Sequence, residues 1–341
     1  MHPPITLDAP VITGITPSSR SLSVAFTQVT GGLTITNYQY STDNGATFRA
    51  FATPDVTSPL TINTLSSDGT TLLTNGVTYS VIIQAKTANG LGSVSNMVQG
   101  TTPSVTITQF TTVGSTTWTA PVNVTSVEYL VVGGGGGSGG GYDNAGGGGG
   151  GGGMVRTGTL SVTPGDVYNV TVGDGGARGV SDRDALPETN GSSGGNTVFD
   201  SITALGGGGG YASRKKPNTV PQPDDRAGGD SVSLSPTLTA STGGVGGFGG
   251  GGGGGGGGNT SNGSDGVSTT GGNGGNGFTS SISGSSATYG IGGRGANSGV
   301  INNAVAGDSN TGNGARAGGT QSSSSIVGAK GGSGIVILKY T

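Results

Sequence analysis

The side chains best suited to chemistry in this chain form one short charged segment. Arg214, Lys215 and Lys216 are the only cluster of basic residues, and Asp224 and Asp225 follow them closely. Basic side chains in a proline-containing loop could bind a receptor or a glycan through charge-assisted hydrogen bonds. The same residues could instead form a solvated loop in which opposite charges pair with one another. The segment is therefore a candidate binding loop, with both interpretations open.

Three tyrosines beside glycine-rich segments are a second kind of candidate. Tyr142 shares a short polar segment with Asp143 and Asn144, whereas Tyr211 and Tyr289 stand apart from it. A tyrosine ring can stack on a sugar ring at a binding face, or it can cover the face of a packed glycine layer. The candidate binding residues are therefore Tyr142, Asp143, Asn144, Tyr211, Arg214, Lys215, Lys216, Asp224, Asp225 and Tyr289.

Catalytic chemistry has few side chains available to it. His2 is the only histidine and lies in a terminal segment, and the chain has no cysteine. A Ser-His-Asp arrangement, a histidine-ligated metal centre and a thiolate site are therefore not expected. Asp182, Asp184 and Glu188 share one loop and leave a carboxylate pair for glycoside cleavage as a weak alternative. We expect no enzymatic activity, no cofactor and no metal site.

The charge balance and hydropathy exclude further classes. Lysine and arginine total 14 against 17 aspartate and glutamate residues, and the net charge of −3 argues against a nucleic-acid partner. Membrane insertion is not expected, because no apolar stretch approaches the ~20 residues of a membrane span. The first four residues lack the features of a secretory signal. This start fits a protein released by cell lysis, a fragment, or a chain exported by another route.

The positions of the candidates depend on an unusual number of glycines, 78 of 341 residues. The runs at 133–137, 146–153, 206–210 and 249–258 have no side chains with which to form an amphipathic helix or a core strand. They could be flexible linkers or disordered chain, or they could be polyproline-II-type glycine helices packed side by side. Short strand-like segments flank the runs and favour packing; they cover residues 125–132, 154–162, 201–205 and 334–340.

A three-residue rhythm in the glycine-rich part also favours packed helices. The sequences at 243–248 and 271–276 repeat two glycines followed by one other residue, and Gly328, Gly331 and Gly334 keep the same spacing. Three residues is one turn of a polyproline II helix. The chain is therefore predicted to be all-β, with packed polyglycine II helices on a β scaffold and essentially no α-helix.

The N-terminal part reads as a β-sandwich over residues 10–103, after a tail at 1–9. The segments ITNYQYSTDNGATF (35–48) and NGVTYSVIIQAKTANGLGSVSN (75–96), with the closing TTP (101–103), resemble a fibronectin type III module. Phe26 would take the place of that family's usual tryptophan, and Tyr79 that of its tyrosine near the end of the sandwich. Such modules are mostly spacers or docking units, and no Arg-Gly-Asp triplet is present. The resemblance implies contacts with other virion or fibre proteins.

Residues 104–341 resemble a glycine-rich domain found in phage tail-fibre and other virion proteins and in bacterial surface proteins. The resemblance lies in the segments 116–141, 158–176 and the terminal GGSGIVILKYT. A related polyglycine II sandwich in tail-fibre adhesins implies that loops at its far end touch the host receptor.

The expected function is therefore that of a virion-surface or tail-fibre adhesin, on the virion surface or extracellular. Its expected partner is a host cell-surface protein or glycan, bound by several copies in one assembly. The alternative is a purely structural subunit of a capsid decoration or an extracellular filament. Ice binding is a further possibility, although no regular array of threonine or alanine supports it.

Overall fold

The described residues form two β-rich units. In a computed structural model of the chain, the described residues are 7–28, 33–142, 144–181, 189–213, 256, 259–321 and 325–341. None of these residues is in an α-helix, which confirms the all-β prediction. The chain divides into an N-terminal unit, residues 1–106 with Thr341, and a C-terminal unit, residues 107–340.

A membrane-spanning helix, long and apolar, is not found in the described part of the chain.

The described residues of the N-terminal unit form eight strands. They are β1 Val11–Ser18, β2 Ser21–Thr27, β3 Ile35–Ser41, β4 Arg49–Ala50, β5 Leu60–Ile62, β6 Thr78–Thr87, β7 Gly90–Val94 and β8 Val98–Thr101. One sheet has the order β1-β2-β5, and the other has the order β4-β3-β6-β7 with β8 also paired to β6.

One hydrophobic core occupies the N-terminal unit. Alternate residues Leu22, Val24 and Phe26 of β2 are buried in the same cluster as Tyr38 of β3. The ring of Phe26 meets that of Tyr38 edge-on, with centroids 4.8 Å apart. Tyr79 closes one end of this unit, because its hydroxyl group accepts a hydrogen bond of 2.8 Å from the N–H of Thr74.

Twelve strands are formed by the described residues of the C-terminal unit. They are β9 Thr106–Phe110, β10 Gly114–Thr119, β11 Ser126–Val132, β12 Gly141–Tyr142, β13 Val155–Ser161, β14 Val167–Val172, β15 Thr197–Phe199, β16 Ile202–Ala204, β17 Phe278–Ser280, β18 Ala287–Tyr289, β19 Ser325–Ile326 and β20 Ile335–Tyr340. Two four-stranded sheets have the orders β13-β11-β20-β9 and β10-β14-β15-β16, and β17 and β18 form a separate hairpin.

The central strands β11 and β20 are apolar on both faces because each face carries a separate core. Val127 and Val131 of β11 belong to a cluster with Trp118 and Phe199, which lies between the two four-stranded sheets. Leu130 and Val132 face the opposite way, into a second cluster completed by residues of the β17–β18 hairpin. Strands buried on both faces need continuous apolar sequence, and VEYLVV and IVILKY largely provide it.

Most of the longer strands of this unit continue directly into a glycine-rich segment. The first glycine run begins at Gly133, immediately after β11 ends, and the second ends at Gly153, with only Met154 between it and β13. The same arrangement joins 173–181 to β14, 189–196 to β15, 205–213 to β16, 271–277 to β17, 290–298 to β18 and 327–334 to β20. The strands therefore form one end of the unit, and the glycine segments extend from it.

Candidate binding end of the glycine-helix bundle

The glycine segments are helices with three residues per turn, as their hydrogen bonds show. Along segment 133–140, the N–H groups of Gly133, Gly136 and Gly139 donate to carbonyl groups of segment 148–154, at N···O distances of 2.8 to 2.9 Å. The partner moves back three residues each time the donor moves forward three, so the two segments are antiparallel. A strand would repeat after two residues, whereas a polyproline II helix repeats after three.

The other residues of segment 133–140 form hydrogen bonds with further segments, and the partner segment changes from one residue to the next. Gly134 and Gly137 donate to segment 192–195, and Gly135 and Ser138 donate to segment 329–332. Carbonyl groups of the same segment accept hydrogen bonds from segments 176–179 and 207–213 and from Ala315. Segment 133–140 is therefore the centre of a bundle, with a hydrogen-bonded neighbour in each of six directions. This arrangement satisfies the backbone groups that an isolated polyproline II helix leaves unpaired.

Most positions in the interior of this bundle leave no room for a side chain. A Cβ atom on Gly136 would lie 1.9 Å from the carbonyl oxygen of Gly208, and one on Gly175 would lie 1.8 Å from that of Gly331. Both obstacles are backbone atoms, which cannot rotate away as the end of a side chain can. The unbroken glycine runs are therefore a packing requirement of the bundle.

The connections between paired glycine helices lie at the end opposite the strands, which we call the distal end. Eight residues at about 3.1 Å per residue place it roughly 25 Å from the end of β11. The described residues of the distal connections include 141–142 with 144–145, 298–306, and 320–321 with 325–326. The strand pair β12–β19 joins two of them, with Tyr142 opposite Ser325.

A buried serine network fixes the distal connections to the bundle. Ser213 donates its N–H to the carbonyl group of Gly140 at 3.0 Å, and its Oγ accepts the N–H of Tyr142 at 2.7 Å. The Ser213 hydroxyl also lies 3.1 Å from the carbonyl oxygen of Ala145, and Ser181 donates to the Ser213 carbonyl group at 2.8 Å. Three connections are thus held together by hydrogen bonds in the absence of a side-chain core.

Tyr142 and its neighbours lie at the distal end, although the tyrosine is not on the surface. Tyr142 is 4% exposed and forms a tight turn with Ala145, in which Asn144 has a φ of 61°. Asp143 lies outside the described residues. The structure therefore gives the Tyr142 ring a packing role in this chain, which is one of the two roles that the sequence left open.

Tyr211 is the one aromatic candidate of the three that the structure exposes, at 45%. Its carbonyl group accepts the N–H of Gly148, so the residue belongs to the bundle near the distal end. The charged candidates Arg214, Lys215, Lys216, Asp224 and Asp225 lie outside the described residues. The chain reaches them from Ser213, which is fixed at the distal end.

Tyr289 is placed apart from the other candidates. It lies in β18, opposite Phe278, and is 4% exposed within the hydrophobic cluster of that hairpin. The structure therefore places it at the strand end of the unit and does not bring it together with Tyr142 and Tyr211.

Apolar residues on two distal turns were missed by the sequence analysis. Val267 is 70% exposed, and Val300 and Ile301 are 49% and 59% exposed. The two turns are joined by a hydrogen bond from the N–H of Ser298 to the carbonyl group of Thr269. The sequence does contain a signal for an exposed apolar turn, because Val300 and Ile301 follow Gly299 directly within a polar segment. In the structure Gly299 has a φ of 69°, which is typical of a turn.

The described part of the bundle carries little charge. Lys330 and Asp174, on adjacent glycine helices, form an ion pair of 2.7 Å with both side chains about half exposed. Within the described residues, no group of three or more histidine, aspartate or glutamate side chains is arranged to hold a metal ion.

Comparison with known proteins identifies the C-terminal part. A family model described as a glycine-rich domain matches residues 111–341, which is most of the chain. No curated protein matches the chain.

Proposed function

The chain belongs to the glycine-rich domain family, and from that premise we propose that it is an adhesin of a virion surface or tail fibre. The observation that carries this proposal is the placement of connecting loops together at the distal end of a hydrogen-bonded bundle. Loops held in one conformation bind with a smaller entropic cost than flexible loops. The bundle acts as a rigid support, and its distal loops contact a protein or glycan of the host surface.

The exposed distal residues support a role in binding. Tyr211 offers an aromatic ring at the surface, and Val300 and Ile301 offer apolar contacts of the kind that interfaces use. Function in this reading requires no chemical step, cofactor or metal ion.

We propose further that the N-terminal unit is a fibronectin type III module that docks the protein to other virion or fibre proteins. Its two sheets share one core, and Tyr79 hydrogen-bonds to the backbone five residues earlier, as tyrosines do at the corner of related sandwiches. Docking through this unit would leave the distal loops free and would place several copies in one assembly.

Electron microscopy of the native assembly, with a label on the C-terminal unit, tests the adhesive role against the structural alternative. A few labelled copies at a tail or fibre tip are the expected result. Label spread regularly over a shell or along a filament would instead identify a capsid decoration or filament subunit.

A binding assay on susceptible cells tests the distal loops directly. We expect the chain to bind these cells and a variant with Val300→Ser and Ile301→Ser to bind at least tenfold more weakly. The matched control is Leu91→Ser, which changes an exposed apolar residue of the N-terminal unit. Equal loss of binding in both variants, or in neither, would contradict the proposed role of the distal end.

A further inference from the structure

Two arginines on adjacent glycine helices each have a buried Nε donor without an acceptor among the described residues. Arg294 and Arg316 are both partly buried, and the Nε atom of each is fully buried without a hydrogen-bond partner. Neither arginine takes part in an ion pair within the described part of the chain. A buried donor without an acceptor is energetically costly, and a guanidinium group has five N–H donors and no acceptor.

The register of the two helices places these arginines side by side. Segment 312–318 runs parallel to segment 290–298, since Gly314 donates to Ile291 and Ala317 donates to Arg294, at 2.8 and 3.0 Å. Each step of three residues along one helix therefore matches a step of three along the other. Arg316 in the first helix corresponds in this way to Arg294 in the second.

Asn313, one helical turn before Arg316, shows how a side chain at this position can bond to the neighbouring helix. The Oδ1 atom of Asn313 accepts the N–H of Ile291 at 2.9 Å, so the side chain of Asn313 reaches across to the neighbouring helix. One turn later Arg316 takes the place of Asn313, and Arg294 takes the place of Ile291. Arginine cannot accept a hydrogen bond, and no described residue accepts the N–H of Arg294.

The result is a site that contains donors and lacks an acceptor. Its donors are the backbone N–H of Arg294 and the guanidinium groups of Arg294 and Arg316. An oxyanion would satisfy them, because a carboxylate can accept two parallel hydrogen bonds from one arginine and a further bond from a backbone N–H. We propose that this flank of the bundle binds the carboxylate group of an acidic carbohydrate.

The surroundings favour a carbohydrate as the carrier of the anion. Asn273 and Asn276 are exposed on the next glycine helix, and their side-chain amides bond to no described residue. An amide group can donate to one sugar hydroxyl and accept from another. Ile291, which is 37% exposed on the same edge as Arg294, adds an apolar contact for the face of a sugar ring. This site is separate from the distal loops and does not depend on their role.

Calorimetric titration of the full chain with trigalacturonate tests the proposal. The neutral trisaccharide maltotriose and inorganic phosphate serve as the other two titrants. We expect trigalacturonate to bind more tightly than either, with an affinity that falls as salt is added. Equal binding of maltotriose, binding of phosphate as tight as that of trigalacturonate, or no binding at all would overturn the proposal.

Arg316→Asn is the decisive variant, because the new amide can accept the N–H of Arg294 as Asn313 accepts that of Ile291. We expect unchanged or raised thermal stability together with a loss of affinity of roughly tenfold or more, since charged hydrogen bonds are removed. Arg156→Gln is the matched control, because Arg156 also has a buried, unpartnered Nε but lies in β13. Full affinity in Arg316→Asn, or an equal loss in Arg156→Gln, would contradict the assignment.

The variant with Val300→Ser and Ile301→Ser separates this site from the adhesive function. We expect it to bind trigalacturonate with unchanged affinity, whatever its effect on cell binding. A parallel loss of both activities would assign the acidic carbohydrate to the distal loops and overturn the flank site.

Discussion

The carbonyl oxygen of Gly208 lies where Gly136 would carry a Cβ atom, and contacts of this kind explain the glycine runs residue by residue. A Cβ atom on Gly150 would likewise lie 2.1 Å from the carbonyl oxygen of Gly136, and one on Gly331 would lie 2.0 Å from that of Gly135. These glycines are required because the helices approach one another closely. At turns such as Gly299, glycine is needed for a different reason, because the backbone there has a positive φ.

Gly136→Ala is expected to destabilise the C-terminal unit by about 3 kcal/mol, because the backbone of segment 207–208 has to move to admit the methyl group. Denaturant unfolding of the full chain measures the change. Gly14→Ala is the control, since a Cβ atom at Gly14 meets no atom within 4 Å. A loss below about 0.5 kcal/mol for Gly136→Ala, of the size seen at ordinary surface sites, would show that the helices are not packed this closely.

Asp68 makes the N-terminal unit sensitive to acid. Hydrogen bonds from the Thr71 hydroxyl and from the N–H groups of Thr70 and Thr71 lower its pKa from 3.8 to about 2. Because the folded-state pKa is the lower one, this stabilisation is present above pH 4 and is lost as pH falls toward 2. The melting temperature of Asp68→Asn should therefore lie below that of the unchanged chain at pH 5, and the difference should vanish near pH 2. A difference that stays constant from pH 5 to pH 2 would contradict this origin.

At the scale of elements, the edges of the bundle are closed by short polar side chains at three-residue spacing. Ser261 and Ser264 accept the N–H groups of Asn276 and Asn273 at 2.9 and 2.7 Å. Each hydroxyl group takes the position of a carbonyl group that a further glycine helix would supply. A bundle of finite size can therefore satisfy backbone donors at its surface as well as in its interior.

Ser213→Ala is expected to destabilise the distal end, because the buried N–H of Tyr142 loses its acceptor. The cost of such an unsatisfied group is about 1–3 kcal/mol. Hydrogen exchange at Tyr142 and Ala145 should accelerate while exchange in β11 and β20 is unchanged. Ser115→Ala is the control, since the hydrogen bond between the Ser115 and Thr171 hydroxyl groups lies at the exposed surface. Unchanged exchange at Tyr142 would contradict the role of the network.

At the scale of the whole molecule, the C-terminal unit consists of a β part with side-chain cores and a glycine part held by backbone hydrogen bonds. The first is stabilised by buried apolar area around Trp118, Phe199 and the central strands. The second buries no comparable apolar area and depends on completing its hydrogen bonds. The strands matter to the bundle because they fix where each glycine helix begins.

Hydrogen exchange over the full chain distinguishes a packed bundle from flexible glycine-rich chain. We expect the N–H groups of residues 133–139 to exchange among the slowest in the C-terminal unit, since each donates to a neighbouring helix. Residues 299–301 in the distal turn should exchange much faster. Exchange of residues 133–139 at the rate of an unstructured peptide would rule out the bundle.

Several elements followed from the sequence because their signals are local. Predicted strands at 125–132, 154–162 and 334–340 correspond to β11, β13 and β20 within one residue at each end. The sequence TPGD at 163–166 predicts a turn, and that turn is present, with the N–H of Asp166 donating to the carbonyl group of Thr163. The strands on either side of that turn nevertheless pair in different sheets, because β13 joins β11 and β14 joins β10. The sequence of the turn between β13 and β14 cannot show that each strand pairs with a more distant strand.

The sequence by itself favoured packing of the glycine runs over a flexible chain, since three-residue spacing and flanking strands are properties of the local chain. Only the tertiary structure decided which helices are neighbours, because a glycine has no side chain with which to specify a partner. The strands set that choice through their cores, and it buries Tyr142, exposes Tyr211, and sets Arg316 beside Arg294. Candidate residues could be identified by type in the sequence, but their exposure and their neighbouring residues depend on contacts between distant segments.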